Sequence, residues 1–471
     1  MESNKSLSWN TQIILLILAV FVSVGIFRSL HEDSDDLSAS FIGCRLVATG
    51  QTAHLYAHDP DSFAEIGPDA PWQQAADEGH YVAFLHPYVQ TPLWAWSLQP
   101  LCAGISNNFL PFQRIFSVIT LLSFAACIWL VAFFWAPALY NPPAIALICL
   151  SLWFAEPFQY ALALMQTHVI FFLLTLLALI LAERKRPISA GILLALAAAV
   201  KITPAALLIY WLLTRRWKAA ASMTATSALL WGAAYLAVGS HVMRDYLATL
   251  DRVSHILLLS QNNQSFAAWI MAHAHPTKEA LAFHTFLLPT WVRLTSTGLF
   301  ILCTLLGGLI DRKMAGRHTG SGAGQRATYR TPIGAMIALV AATIFAPISW
   351  SHYSIILIAP LMILLNEQIV RVRQRSSFPA LTQPSTGKVP SESVFAQRLR
   401  PRQLWIGALI VIIAALNYQP FAAAAVQTVI HSLTLVRSHF YSEVLCLLTL
   451  FAASWTRIPL GLNVDNSNET V

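Results

Sequence analysis

Charged residues occupy only 11% of the 471 positions, whereas hydrophobic residues occupy 56%, and the mean hydropathy is +0.59. So little charge cannot clothe a soluble domain, and a soluble globular class is excluded. Cysteines are few and unpatterned: Cys44, Cys102, Cys127, Cys149, Cys303 and Cys446 are scattered, four of them deep in apolar runs, and no CxxC occurs. That spacing predicts neither a disulfide framework nor a metal site, and nothing in it asks for a cofactor. The first apolar run, Ile13 to Phe27, lacks a small-residue cleavage site, so a retained first span is expected in place of a removed signal. The formal net charge of +7 is carried by basic residues clustered in short loops between apolar runs. Such clustering reports topology, and nucleic acid is not expected as a partner.

What the chain does have is apolar length. Several runs approach the roughly 20 residues needed to cross about 30 Å of hydrocarbon. Candidate spans lie near 11–29, 110–136, 142–157, 160–182, 217–238, 291–310, 332–347, 353–370, 403–423 and 440–456. An all-α, polytopic integral membrane protein is therefore predicted. The basic loops are 183–187 (ERKRP), 214–218 (TRRWK), the DRKMAGR stretch with Arg326 and Arg330, and the long 371–402 segment; all four are cytoplasmic by the positive-inside rule. From Leu30 to Val89 the balance reverses, with ten acidic residues and one basic, Arg45. This large first loop belongs outside, and with the N-terminus inside every loop sign agrees.

Lys201 is the one formal charge in the apolar stretch 193–213. An unpaired ammonium in hydrocarbon is strongly unfavourable, so it must be paired or used. Arg186 and Arg215 are both cytoplasmic, and the 28 residues between them must leave and return to one side. Two full spans would take about 40 residues, so two short helices meeting near Lys201 are expected. Pro204 suits the first turn of the second helix. Irregular backbone at that depth must be buried in protein or line a wet cavity. Lys201 then sits at a hairpin tip aimed outward, either paired with a nearby acid or carbonyl or free to hold an anion.

Other polar residues in apolar settings fall on the same side: His86, Tyr88 and Gln90; Gln166 and His168; Asn263, Gln264 and Ser265; Trp350, Ser351 and His352. Singly, each reads as a structural hydrogen-bonding residue; together they point to a shared polar cavity. The acidic loop supplies a carboxylate. Asp36 precedes a stretch readable as a short amphipathic helix, with Phe41, Ile42, Leu46 and Val47 on its apolar side and Gly50 as its stop. Asp36 is readable as the N-cap of that helix, with Arg45 an interfacial anchor, or as a reactive carboxylate near the membrane surface, and the two are compatible.

Asp36, Arg45 and Gly50 form a D-x8-R-x4-G spacing, followed by HLY; then come HPYVQTPLWAWSLQPL (86–101), MQTH (165–168), the 190–207 stretch with Lys201 and Pro204, NNQS (262–265) and SWSHY (349–353). In this order they resemble the motifs of glycosyltransferase family 87, polytopic enzymes of the GT-C superfamily, over roughly residues 30–365. Departures from the family pattern are His168 for Asn, Met165 for Gly, Tyr88 for Pro, and Ala272 or His273 where an arginine often follows NQS.

The resemblance implies a GT-C-like bundle of about 10–12 transmembrane or re-entrant helices with a large first periplasmic loop. Its parts would be a catalytic core over 1–370 containing the 30–90 loop, a basic cytoplasmic loop at 371–402, further spans at 403–456 and a polar tail at 457–471. It implies transfer of a mannose-like hexose or a pentose from a polyprenyl-phosphate carrier to a lipid or glycan acceptor, with inversion, at the periplasmic face of a bacterial inner membrane. Asp36 matches the catalytic base, Lys201 and His352 are candidates for the phosphate, and His86, Tyr88, Gln166, Asn263 and Gln264 for positioning sugar or acceptor. The remaining partners are membrane lipids. The competing class is a transporter or lipid-carrier flippase, which also uses broken helices and intramembrane polar residues, although no inverted repeat relates the two halves.

Overall fold

The computed structural model describes residues 8–58, 65–66, 69–105, 107–260, 262–274, 284–315, 331–376, 408–410, 412–413, 417 and 438–457. The 458–471 part of the tail, Arg326 and Arg330, most of the 371–402 loop and most of the 403–423 span lie outside the described residues. The chain is an all-α polytopic membrane protein, as its apolar runs predict. In order it forms α1 (Trp9–Ser29), α2 (Asp35–Ala48), α3 (Ala70–Glu78), α4 (Pro92–Ser97), α5 (Phe109–Phe134), α6 (Pro142–Trp153), α7 (Glu156–Ala163), α8 (His168–Glu183), α9 (Pro187–Val200), α10 (Ala206–Leu213) and α11 (Trp217–His255). Then come β1 (Ile256–Leu259), α12 (Phe266–Ala274), β2 (His284–Leu287), α13 (Thr290–Ala315), α14 (Ile333–Ile344), a 3-10 turn (Ser351–Leu357) running into α15 (Ile358–Ser376), and α16 (Ser438–Arg457).

Local chemistry sets many of these ends. Ser8, Asp69, Thr91, Asn108 and Asn141 each cap a helix by accepting a backbone N–H from its first turn. Gly50, at φ 75°, stops α2, and Gln51 N–H closes the end on Leu46 O at 2.8 Å. Gly239, at φ 85°, breaks α11 where its apolar run ends, so a span to 238 is followed by a helix on the acidic-loop side.

Among the described residues, five helical stretches are long and apolar enough to cross a membrane: α1, α5, α11, α13 and Ser351–Arg373. The expected spans at 142–157 and 160–182 take another form. The first is the 12-residue α6, begun by the Pro142-Pro143 pair; the second is α7 plus α8, bent by 117°. Met165, at φ 51°, lies at that bend. The span near 332–347 is likewise a 12-residue helix, α14. Of these short helices α14 is buried over nearly its whole length, whereas α6 buries only Ile145, Cys149 and Leu152 and leaves Leu147 and Leu150 exposed. Small residues let helices approach closely. A Cβ on Gly191 of α9 would lie 2.6 Å from Ala219 O and Met223 N of α11, so only glycine admits this helix crossing.

The first loop differs from expectation in two ways. Its helix α2 is buried on every side from Leu37 to Val47, enclosed by α3, α4, α5 and the 100–105 turn, where an amphipathic surface helix was predicted. The unpatterned cysteines concealed a bond: Cys44 of α2 and Cys102 of that turn form a disulfide across a sequence separation of 58. The other four cysteines are free and buried. Arg45 is buried too, donating to Asn107 O and Glu78 Oε2, each at 3.0 Å, so it anchors the loop to itself and not to the membrane interface. Hydrogen bonds from Gln74 and Arg45 hold the Glu78 carboxyl below its ordinary value.

Candidate active site

The site begins where α1 gives way to α2. Ser34 takes up a left-handed conformation (φ 54°, ψ 45°) and is the N-cap, which places Asp36 inside the first helical turn and corrects its assignment as the cap. Neighbouring Asp35 accepts a hydrogen bond from Tyr81 at 3.0 Å. Asp36 instead faces outward from α2, its Oδ1 3.9 Å from His86 Nε2, with 27% of its side chain accessible. Burial raises its pKa above the ordinary carboxylate value; His86 and Lys201 oppose the rise, and Asp35 adds to it.

Lys201 reaches this region from the end of α9. As its surroundings in the sequence predict, α9 ends at Val200, Lys201 is extended (φ −149°, ψ 135°), and a turn containing Pro204 starts the next short helix. The Lys201 ammonium donates to the Tyr353 hydroxyl and lies 3.7 Å from the centre of that ring. Its charge acts on Asp36, His168 and His352. His352 and His168 stack with ring centres 4.9 Å apart, and Tyr160 and Tyr353 flank His352 at 5.3 and 4.8 Å. His168 Nε2 donates to His352 O at 3.1 Å, which places its hydrogen on Nε2. Gln166 Oε1 lies 3.3 Å from the other ring nitrogen. His352 is 1% exposed, yet among the described residues neither of its ring nitrogens has a hydrogen-bond partner.

One short segment holds the acid and the lysine in register. Ser40 of α2 donates to Gln90 Oε1 at 2.8 Å, Trp94 Nε1 donates to Ser40 Oγ at 3.2 Å, and the Thr91 hydroxyl donates to Ala199 O beside the hairpin tip. Residues 88–97 thus bridge α2 to the end of α9. Tyr88 serves this bridge: it is fully buried, donates to Thr91 O at 2.6 Å and accepts from Ala95 N–H at 2.9 Å.

Asp36, His86, Lys201, Gln166 and His352 therefore converge, whereas Tyr88, Asn263 and Gln264 are engaged elsewhere. Asn263 donates to Leu258 O at 2.8 Å and accepts from Ser349 N–H at 3.0 Å; Gln264 N–H donates to Ser349 O at 2.5 Å, and its Oε1 accepts from Phe440 N–H at 3.2 Å. Both tie the 260–265 segment to the 347–351 turn. Sequence reasoning gave no role to Tyr353, Tyr160 or Glu156, and marked His168 only as one polar residue among many. An aromatic one residue past His352 carries no signal in an apolar run; Glu156, a lone carboxylate between apolar helices, does. Among the described residues no group of three or more His, Cys, Asp or Glu side chains is arranged to hold a metal ion.

No curated protein and no solved structure matches the chain. The model of glycosyltransferase family 87 matches residues 88–323, half of the chain, and so contains Lys201, Gln166, Asn263 and Gln264, while Asp36 and His86 precede it and His352 follows it. With the membrane helices and the ordered motifs, that match establishes that this chain belongs to glycosyltransferase family 87, as a multi-pass membrane glycosyltransferase.

Proposed function

We propose that the protein transfers a mannose-like hexose or a pentose from a polyprenyl-phosphate carrier to a lipid or glycan acceptor, at the outer face of a bacterial inner membrane. The observation that carries this reading is the placement of a carboxylate and an ammonium, Asp36 and Lys201, within electrostatic reach of each other from opposite directions, the loop and the membrane interior.

The carboxylate of Asp36 takes the proton of the acceptor hydroxyl as that oxygen attacks the anomeric carbon. The bond from that carbon to the carrier phosphate breaks on the opposite face, which inverts the configuration. Lys201 and His352 stabilise the departing phosphate: an ammonium supplies charge, and the His352 imidazole, which has no hydrogen-bond partner among the described residues, supplies a hydrogen bond. His86 and Gln166 are placed to orient the sugar or acceptor. Tyr88, Asn263 and Gln264 act through the backbone they hold.

The outer-side assignment draws support from the acidic loop, from the basic residues of the opposite loops and from the Cys44–Cys102 bond, since disulfides persist in oxidising compartments. Incubating the purified protein in vesicles with a panel of polyprenyl-phosphate hexoses and pentoses and lipid acceptors, then analysing products by mass spectrometry, tests the reaction. A glycosylated acceptor with release of polyprenyl phosphate is expected. Movement of the carrier lipid between leaflets without any new glycosidic product would identify a flippase instead.

A further inference from the structure

The family match ends at residue 323, yet four residues at the start of α16, His439, Phe440, Tyr441 and Glu443, touch the segments that build the site or the helix beside them. His439 Nε2 lies 2.6 Å from Glu156 Oε2. Phe440 N–H donates to Gln264, and its ring stacks on Trp269 with centres 5.4 Å apart. The Tyr441 hydroxyl accepts from Trp269 Nε1 at 3.0 Å. Ser442 Oγ closes on His439 O at 2.8 Å. Glu443 accepts from Ser354 at 2.7 Å.

Glu156 is the centre of this arrangement. Its other oxygen accepts from Ser351 Oγ at 3.0 Å, and its backbone N–H donates to Asn417 O at 2.9 Å. The Asn417 amide donates to Ile413 O at 2.8 Å, which turns its oxygen towards His439 Nδ1, 3.0 Å away. Nδ1 therefore carries a hydrogen. The Nε2 contact joins a His439 side chain 4% exposed to a Glu156 side chain 21% exposed. Ser351 and Ser354, the two hydroxyls gripped from this side, bracket His352 and Tyr353.

We propose that the first turn of α16 is a clamp that positions the His352–Tyr353 turn, with the Glu156–His439 contact as its latch. Glu156, His439 and Ser351 are positioning residues: they act through the turn. The functional consequence rests on the reading of His352 and Lys201 as the groups that face the carrier phosphate.

The test uses the full chain in detergent or vesicles and two measurements: deuterium exchange of the backbone over 349–357, and affinity for decaprenyl phosphate. His439→Gln removes the imidazole that faces Glu156 Oε2, so exchange in the turn should rise and affinity fall by about tenfold or more, since small misplacements of site groups have large effects. The double variant Glu156→Gln with His439→Gln removes both partners of the contact and should lose little more than either single variant, the non-additivity expected of a coupled pair. Ser351→Ala leaves the Glu156–His439 contact intact and disconnects it from the turn. It should keep a melting temperature near that of the wild type yet show faster exchange and weaker binding, so the test survives even if His439→Gln fails to fold. Unchanged exchange in Ser351→Ala, or purely additive single effects in the double variant, would overturn the clamp. If the wild type itself does not bind decaprenyl phosphate, the phosphate reading fails while the exchange measurement still decides the clamp.

Discussion

Replacing Asp36 by Asn changes the charge of one side chain and almost nothing of its shape. Among the described residues Asp36 receives no hydrogen bond, and its Oδ1 lies 3.9 Å from His86 Nε2. Two stability terms oppose each other. Removing a carboxylate from the first turn of α2 forfeits about 0.3–1 kcal/mol of helix-dipole interaction. Removing a charge that burial disfavours is stabilising, because a carboxyl with a raised pKa contributes stability only in its protonated form. That contribution is complete below the ordinary value of 3.8 and is lost as pH rises through the raised value, so at neutral pH the ionised group burdens the fold. Asp36→Asn should therefore melt at or above the wild-type temperature.

Its transfer rate should fall by roughly 10²–10⁴-fold, the usual effect of removing a general base, or about 2.7–5.4 kcal/mol in the barrier. Decaprenyl phosphate affinity should survive. In the wild type, transfer should decline as pH falls, beginning at a higher pH than an ordinary carboxylate would give. Asp35→Asn is the control: it shares the local field and loses little, since its oxygen can still accept from Tyr81. Thermal melting, product quantification by mass spectrometry and a pH series check all of this. Near-normal transfer by Asp36→Asn, or an equal loss in Asp35→Asn, would remove Asp36 from the base role.

Lys201→Met should weaken decaprenyl phosphate binding strongly while the protein stays folded, and Lys201→Arg should be intermediate, because a planar fork does not replace a point charge in a tight site; titration of the lipid into each variant measures this. Cys44→Ser and Cys102→Ser should each destabilise the protein by about 2–4 kcal/mol, and the double variant by no more than either, read from denaturation midpoints. Single cysteines introduced at Asp251 and Lys185 of a cysteine-free chain should label from outside and only after permeabilisation, respectively, and the reverse pattern would invert the topology.

Much of the architecture follows from chemistry within a few residues of each point in the chain. Runs such as 13–27 and 110–134 must be helical in lipid, because no water is there to bond an open backbone. Lys201 with Pro204 marks a break because a charge and a missing N–H act locally, and Gly50 and Gly239 mark ends because their backbone enters a region that side chains disfavour. Loop charge gives the expected side of the membrane for each polar cluster in the same way. Which polar groups meet does not. Tyr88, Asn263 and Gln264 look as available in the sequence as His86 and His352. Only packing shows that the first three are consumed by backbone bonds and that, among the described residues, neither ring nitrogen of His352 has a partner. The Cys44–Cys102 bond, the Ser40–Gln90 bridge and the Glu156–His439 pair join residues far apart in sequence, with no repeat or motif spacing between them. Their partners are chosen by how the helices stack, and that choice resides in the three-dimensional enclosure of α2, α9 and the 349–357 turn, not in any window of the chain.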